Sequence, residues 1–270
     1  AVRHDRSAKA KLLLYKSDED VYKVAASSIY LKDVEDIDAD ERQVGKVAEL
    51  SLQYGGGAGA FLGMARGYGV IVTRDQAEVI KVKWRDANTW AQSMWFELER
   101  VAKLALAHPG RPYSAGRVRY FAVEGVLAGG VTLFCELPCG RLLTYPDARI
   151  EPRETPWGEM RPSLTALRAA FTPKVGEKEW PRSSLWGGLL FENIVQGTAA
   201  SLLRYALREA DSQGLDTVFH VHDELVVETP DAYVEEDAEL LRGIMNAVPA
   251  WAEGLPVAAD VDVMDRFGKG

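Results

Sequence analysis

Apolar positions recur with a helical period through roughly the first hundred residues and turn to strand-like alternation after Arg117. Ser17-Asp18-Glu19-Asp20 offers an N-cap residue type with acids in the first turn, where the helix dipole favours them. Val21 to Tyr30 continues it with helical apolar spacing, and an acidic linker from Asp33 to Asp40 follows. Asp38 or Asp40 is placed to cap the next helix, roughly Glu41 to Tyr54, which Gly55-Gly56-Gly57 and Gly59 end. Gly67-Tyr68-Gly69 reads as a turn and Gln76 to Trp84 as a helix. Asn88 to Ala107 predicts one long amphipathic helix, with Trp90, Trp95, Leu98, Val101 and Ala105 near one side. His108-Pro109-Gly110 stops it.

Beyond it, Val118, Tyr120 and Ala122 alternate with polar positions, and Val131 to Leu137, a turn at Pro138 to Arg141 and Leu142 to Tyr145 predict a hairpin. Glu151 to Trp180 is rich in Pro, charge and Trp and reads as a variable connection or small subdomain. Gly187-Gly188 leads into a helix reaching about Ala210, closed by Gln213-Gly214. Thr217 to Glu228 is β-branched and apolar at both ends, with His222-Asp223-Glu224 in its middle. Ala232 to Val248 predicts an amphipathic helix and Leu255 to Met264 an edge strand. The fold class is α/β, in the α+β sense.

Composition narrows the function. A length of 270 residues accommodates one large domain or two smaller ones. No apolar run approaches the roughly 20 residues that span a bilayer, and the charged opening stretch lacks an apolar signal core, so no membrane role and a cytoplasmic location are expected. Cys135 and Cys139 have no second pair to complete a zinc site and read as free thiols. A net charge of −8 argues against a strong, nonspecific nucleic-acid binder but leaves room for local basic surfaces. The first residue is not Met, which suits a fragment or a processed chain.

Three places carry candidate chemistry. His222-Asp223-Glu224 is either a solvated hairpin turn or a carboxylate pair held on sheet scaffold for a hard cation such as Mg²⁺. Arg42, Lys46, Leu50 and Tyr54 fall four residues apart each time and so share a helix face, drifting about 40° per step. That face is either a solvated cationic turn running into the core, or a grip for successive phosphates with a ring to lie against a base or sugar. A P-loop is absent, because no Gly-Lys-Ser/Thr closes the glycine run. Asn193 and Gln196 share a face from which they could reach a groove edge, or they are ordinary exposed polar residues.

Taken together, these residues resemble a known family. Arg42-x₃-Lys46-x₇-Tyr54-Gly55 is similar to the nucleotide-binding fingers helix of family A DNA polymerases, the bacterial polymerase I type, and Val221-His222-Asp223-Glu224 to its palm motif. Gly45 to Leu50, Trp84 to Asn88 with Trp95, Leu137 to Leu142 with Tyr145-Pro146, and Glu192 to Gln196 resemble phage and prophage members in order and spacing. The resemblance implies template-directed, Mg²⁺-dependent transfer of nucleotides from dNTP to a primer 3′-hydroxyl, with primer–template DNA as partner. It implies Asp223 as a metal ligand, Glu224 as a supporting carboxylate and His222 near the primer end. Arg42 and Lys46 would hold the triphosphate, with Lys46 assisting the leaving group. Leu50 and Tyr54 would line the nucleotide site, and Gln196 and Asn193 would contact DNA in the minor groove.

The resemblance also implies an architecture. Residues 1–16 would be a leader, 17–115 a helical fingers subdomain, and 116–270 a palm whose antiparallel sheet carries the Asp223 hairpin, in a right hand without its thumb. Two departures stand out. The second metal-binding aspartate of the family lies in a motif of the form Asp-aromatic-Ser-x-x-Glu; Asp5-Arg6-Ser7 has no Glu at the right place, so that aspartate is expected from a separate N-terminal polymerase polypeptide. Leu50 replaces the Phe or Tyr that many relatives carry facing the sugar. Little or no activity is expected of this chain alone. The alternative is an inactive remnant that still binds nucleotide or DNA; a third possibility, an unrelated structural protein, leaves the ordered series of matches to chance.

Overall fold

The computed structural model describes residues 6–126, 130–155, 158–168 and 180–268. Asp5, and residues 156–157 and 169–179 of the connection read between Glu151 and Trp180, lie outside them. The chain divides into two compact units, residues 1–136 with 142–194, and residues 137–141 with 195–270.

The first unit opens with six helices: α1 (Arg6–Leu14), α2 (Val21–Tyr30), α3 (Ala39–Leu52), α4 (Ala58–Gly67), α5 (Arg74–Ala87) and α6 (Thr89–Ala107). Side-chain caps set three of their starts. Asp20, and not Ser17, caps α2 by accepting from the amides of Tyr22 and Lys23. Asp38 caps α3 in a reciprocal box with Glu41, which decides between the two aspartates. Thr73 and Gln76 do the same for α5. Val47, Ala48, Leu52, Phe61 and Trp84 are buried together where α3, α4 and α5 meet, and each large apolar side chain contributes about 1.5–3 kcal/mol by leaving water. Inside this core Glu49 is 4% exposed. It is satisfied by the Lys11 ammonium at 2.7 Å and by the Trp84 indole N–H at 3.0 Å, as a buried carboxylate must be.

Strands β1 (Tyr113–Ala115), β2 (Val118–Glu124), β3 (Val131–Glu136) and β4 (Leu142–Tyr145) form an antiparallel sheet in that order. Val118, Tyr120 and Ala122 point into the core, as their alternation requires. A second antiparallel sheet, β5 (Arg149–Glu154), β6 (Met160–Leu167) and β7 (Arg182–Ser184), occupies much of the stretch read as a variable connection or small subdomain. Its prolines hid it: Pro152 stands opposite Pro162 across the β5–β6 pair, a position where neither could donate a ladder hydrogen bond. Arg182 ties β7 back by reaching the carboxylate and the carbonyl of Asp147, at 2.5 and 2.6 Å.

Helix α7 (Gly187–Ser212) runs to Ile194 in the first unit and from Val195 in the second. The second unit continues with the hairpin β8 (Asp216–Val221) and β9 (Glu224–Glu228), then α8 (Val234–Asn246). Ala206, Ala210, Leu215 and Ile244 form its core, with Leu225, Val227, Leu240 and Leu241 against them. Among the described residues β8 and β9 pair only with each other. The strand expected over 255–264 is not formed. Instead the side chain of Asn246 makes two strand-like hydrogen bonds to Ala259, donating to its carbonyl at 3.0 Å and accepting from its amide at 2.9 Å. An amide side chain thus takes the place of a partner strand. Among the described residues no helix is long and apolar enough to cross a membrane.

Candidate active site

The cationic face of α3 is built by a close helix crossing. A Cβ at Gly45 would lie 2.2 Å from the Tyr22 carbonyl oxygen, so only glycine lets α2 approach this near. That approach brings the first turn of α2 onto the face. Arg42 donates its Nε–H to Asp20 at 2.6 Å. The Tyr22 ring lies 5.3 Å from the Arg42 guanidinium and 5.7 Å from the Lys46 ammonium, and the Tyr68 ring lies 5.4 Å from Lys46 on another side. Such contacts hold a cation without neutralising it. Lys46 is half-buried and has no carboxylate partner among the described residues. Burial pushes the Asp20 carboxyl up, but the hydrogen bonds from Arg42, Lys23 and Tyr22 outweigh it and hold the group below its ordinary range.

Leu50 is half-buried on the same helix. Tyr54 lies past the helix end, because α3 stops at Leu52 and not at Tyr54 as the four-residue spacing suggested. The turn that carries it is closed by Gly55 at φ +82°. Three neighbours fix that turn. The Trp95 indole donates to the Gln53 carbonyl at 3.1 Å, the Phe191 ring sits 5.9 Å from the Tyr54 ring, and a Cβ at Gly188 would come within 1.9 Å of the Tyr54 carbonyl oxygen. Burial, with Glu192 nearby, raises the Tyr54 phenol above its usual value, so it remains a neutral ring and hydroxyl.

The second group of predicted residues sits on the β8–β9 turn. Val221 pairs with Glu224, leaving His222 and Asp223 as a two-residue loop. His222 takes a left-handed conformation at φ +53°, a strained choice for a residue other than glycine. His222, Asp223 and Glu224 are exposed. They line, with Gln196, one groove of about 1780 Å³ in the second unit. Neither carboxylate has an ion-pair partner among the described residues. The tip therefore has the geometry of a solvated turn and, at the same time, two adjacent oxygen donors with no internal countercharge. Among the described residues no group of three or more His, Cys, Asp or Glu is placed so that it could hold a metal ion. Two carboxylates nevertheless fit Mg²⁺, which is commonly bound through one or two of them with substrate phosphates and water completing its shell.

The structure thus gathers Arg42 and Lys46 on α3, with Tyr54 in the turn that follows, in the first unit, and Gln196, His222, Asp223 and Glu224 around one groove in the second. Asn193 is set differently from Gln196. Its amide donates to the Tyr145 hydroxyl at 3.2 Å, which gives it a structural task at the β4 end. Sequence reasoning missed Tyr22 and Tyr68 as neighbours of Lys46. It noticed Asp20 only as a helix-start acid; the signal available was its spacing from Arg42 across two capped helices.

No family model matches this chain. It is 33% identical over 261 residues, 96% of its length, to the DNA polymerase of Bacillus phage SP02. The chain belongs to the family A DNA polymerases. It covers 38% of the phage protein, so it spans well under half of that relative. A shorter match, 45% identical over 60 residues, is to DNA polymerase I of Chloroflexus aurantiacus, covering 20% of this chain and 6% of that one. Among solved structures, the POL domain of Pol1 from M. smegmatis, in complex with DNA primer-template and dNTP, covers 91% of this chain and 33% of its own at a TM-score of 0.49 and 16% identity.

Proposed function

We propose that this chain is the fingers-and-palm part of a family A DNA polymerase, acting in Mg²⁺-dependent, template-directed transfer of nucleotides from dNTP to a primer 3′-hydroxyl. Residues 17–115 would serve as fingers and 116–270 as palm, with 1–16 leading in from further polymerase sequence. The second metal-binding aspartate and the thumb would come from outside these 270 residues. The observation that carries the reading is the state of the two charged groups. Lys46 and the Asp223–Glu224 pair lack internal countercharges among the described residues, in a chain related to a phage DNA polymerase over 96% of its length. Unpaired charges of both signs suit a substrate that brings phosphates and a cation.

In this reading Arg42 and Lys46 bind the triphosphate, and Lys46 supplies positive charge or a proton to the departing pyrophosphate. Asp223, supported by Glu224, is the carboxylate that takes Mg²⁺. Bound Mg²⁺ would activate the primer hydroxyl and neutralise charge on the leaving group. Leu50 and Tyr54 face the nucleotide, where Leu50 offers apolar contact to the sugar and Tyr54 a ring to the nascent base pair. His222 stands near the primer end, and Gln196 and Asn193 contact DNA.

The test at this level is dNTP binding by the full 270-residue chain with and without Mg²⁺. Mg²⁺-dependent binding weakened about tenfold or more by Lys46→Ala is expected, the loss of one charge-assisted phosphate contact. Binding that Lys46→Ala leaves unchanged, or no binding, overturns the reading.

A further inference from the structure

Asp20 divides its carboxylate between two tasks. One oxygen accepts from the amides of Tyr22 and Lys23, at 2.9 and 3.1 Å, and so starts α2. The other accepts from Arg42 Nε at 2.6 Å. Arg42 uses only that one of its donors: its two terminal amino groups have no hydrogen-bond partner among the described residues. A guanidinium held through Nε cannot swivel freely, and its outer edge keeps the two parallel N–H groups that match phosphate oxygens. The Tyr22 ring, two residues further along the same turn, lies 5.3 Å from the Arg42 guanidinium and adds a second constraint. The turn itself is fixed, because α2 lies against α3 at Gly45 with no room for a side chain.

We propose that Asp20 is a positioning residue for nucleotide binding: it presets Arg42 through Nε so that the terminal amino groups form a ready edge for a nucleoside triphosphate. The proposal rests on the nucleotide reading of α3 given above. Its sign is open to test, since a carboxylate beside a triphosphate also repels it. If repulsion dominated, removing the charge would tighten binding; if positioning dominates, removing it weakens binding.

Asparagine caps helices as well as aspartate does, so Asp20→Asn keeps α2 while removing the ion pair, and Asp20→Ala removes both. The experiment titrates dTTP with Mg²⁺ into the full chain for wild type, Asp20→Asn, Arg42→Ala and the double variant, with thermal midpoints recorded alongside. Asp20→Asn is expected to weaken binding five- to tenfold with little change in midpoint, and to have no further effect in the Arg42→Ala background. Unchanged or tighter binding in Asp20→Asn, or losses that add in the double variant, overturn the proposal. A second readout needs no nucleotide. Exchange of the Arg42 Nε–H by NMR should be slow in wild type and fast in Asp20→Asn, and equal rates also overturn it. Wild type that does not bind dTTP, or binds it without help from Arg42, overturns the nucleotide reading and this proposal with it; binding that needs Arg42 but ignores Asp20 overturns this proposal alone.

Discussion

Asp20 shows how one side chain links local structure to the chemistry of a site. Its carboxyl is held below the ordinary value of 3.8: burial pushes it up, but hydrogen bonds from Arg42 and the α2 amides prevail. A depressed folded value means that the stabilisation is fully present above about pH 3.8 and is lost as pH falls through the lower folded value. The pair is half-exposed, with side-chain exposures of 37% for Arg42 and 32% for Asp20, so its contribution is on the order of 0.5 kcal/mol. Wild type should therefore exceed Asp20→Asn in urea stability by roughly that amount at pH 7 and lose the advantage as pH falls below 3.8, through the depressed folded value. An advantage that grows on acidification would contradict the assignment. The sequence made Arg42 and Lys46 legible, because a four-residue spacing fixes a helix face. It left Tyr22 and Tyr68 unread, because a tyrosine's place beside a lysine depends on how α2 and the α4 end pack, and packing has no local signature.

At the scale of elements, Gly45 decides the α2–α3 crossing. Alanine there gains about 1 kcal/mol of helix propensity but meets the Tyr22 carbonyl oxygen at 2.2 Å and the Ala26 nitrogen at 2.9 Å. Neither backbone atom can give way, so Gly45→Ala should cost about 1–3 kcal/mol net, read by thermal unfolding, and weaken nucleotide binding as Tyr22 and Asp20 move off. The β8–β9 turn stores strain at His222 instead. A β-branched residue tolerates φ +53° less well than histidine, so His222→Val should destabilise the chain by about 1–2 kcal/mol in urea unfolding. No loss would mean that the turn relaxes at no cost. Helices with a clear apolar stripe were legible from sequence, α6 almost to the residue. The β5–β6–β7 sheet was not, since facing prolines mimic a loop. The strand read over 255–264 failed for the opposite reason: alternation was present, but a side-chain amide from Asn246 met the backbone.

Across the whole molecule, the charges fall into two groups that local sequence reads separately. The α3 cations belong to the first unit and the Asp223 turn to the second. The total charge of −8 leaves room for Lys46, which has no carboxylate partner among the described residues, as suits a protein proposed to meet phosphate at chosen points. Family membership was legible because several short motifs keep their order over nearly the whole chain, while each motif alone had an ordinary structural explanation. The hairpin turn in particular is exposed, as its plainer reading said; the chemical role proposed for it rests on the kinship and on carboxylates that have no ion-pair partner among the described residues.

The central claim is that Asp223 is the metal-binding carboxylate of nucleotidyl transfer. Primer extension tests it most directly, with this chain supplied together with the polymerase segment that carries the second aspartate. The expected result is Mg²⁺-dependent extension that falls by about a thousandfold or more in Asp223→Ala, with little or no extension from this chain alone. Extension that proceeds unaffected by Asp223→Ala would contradict the account.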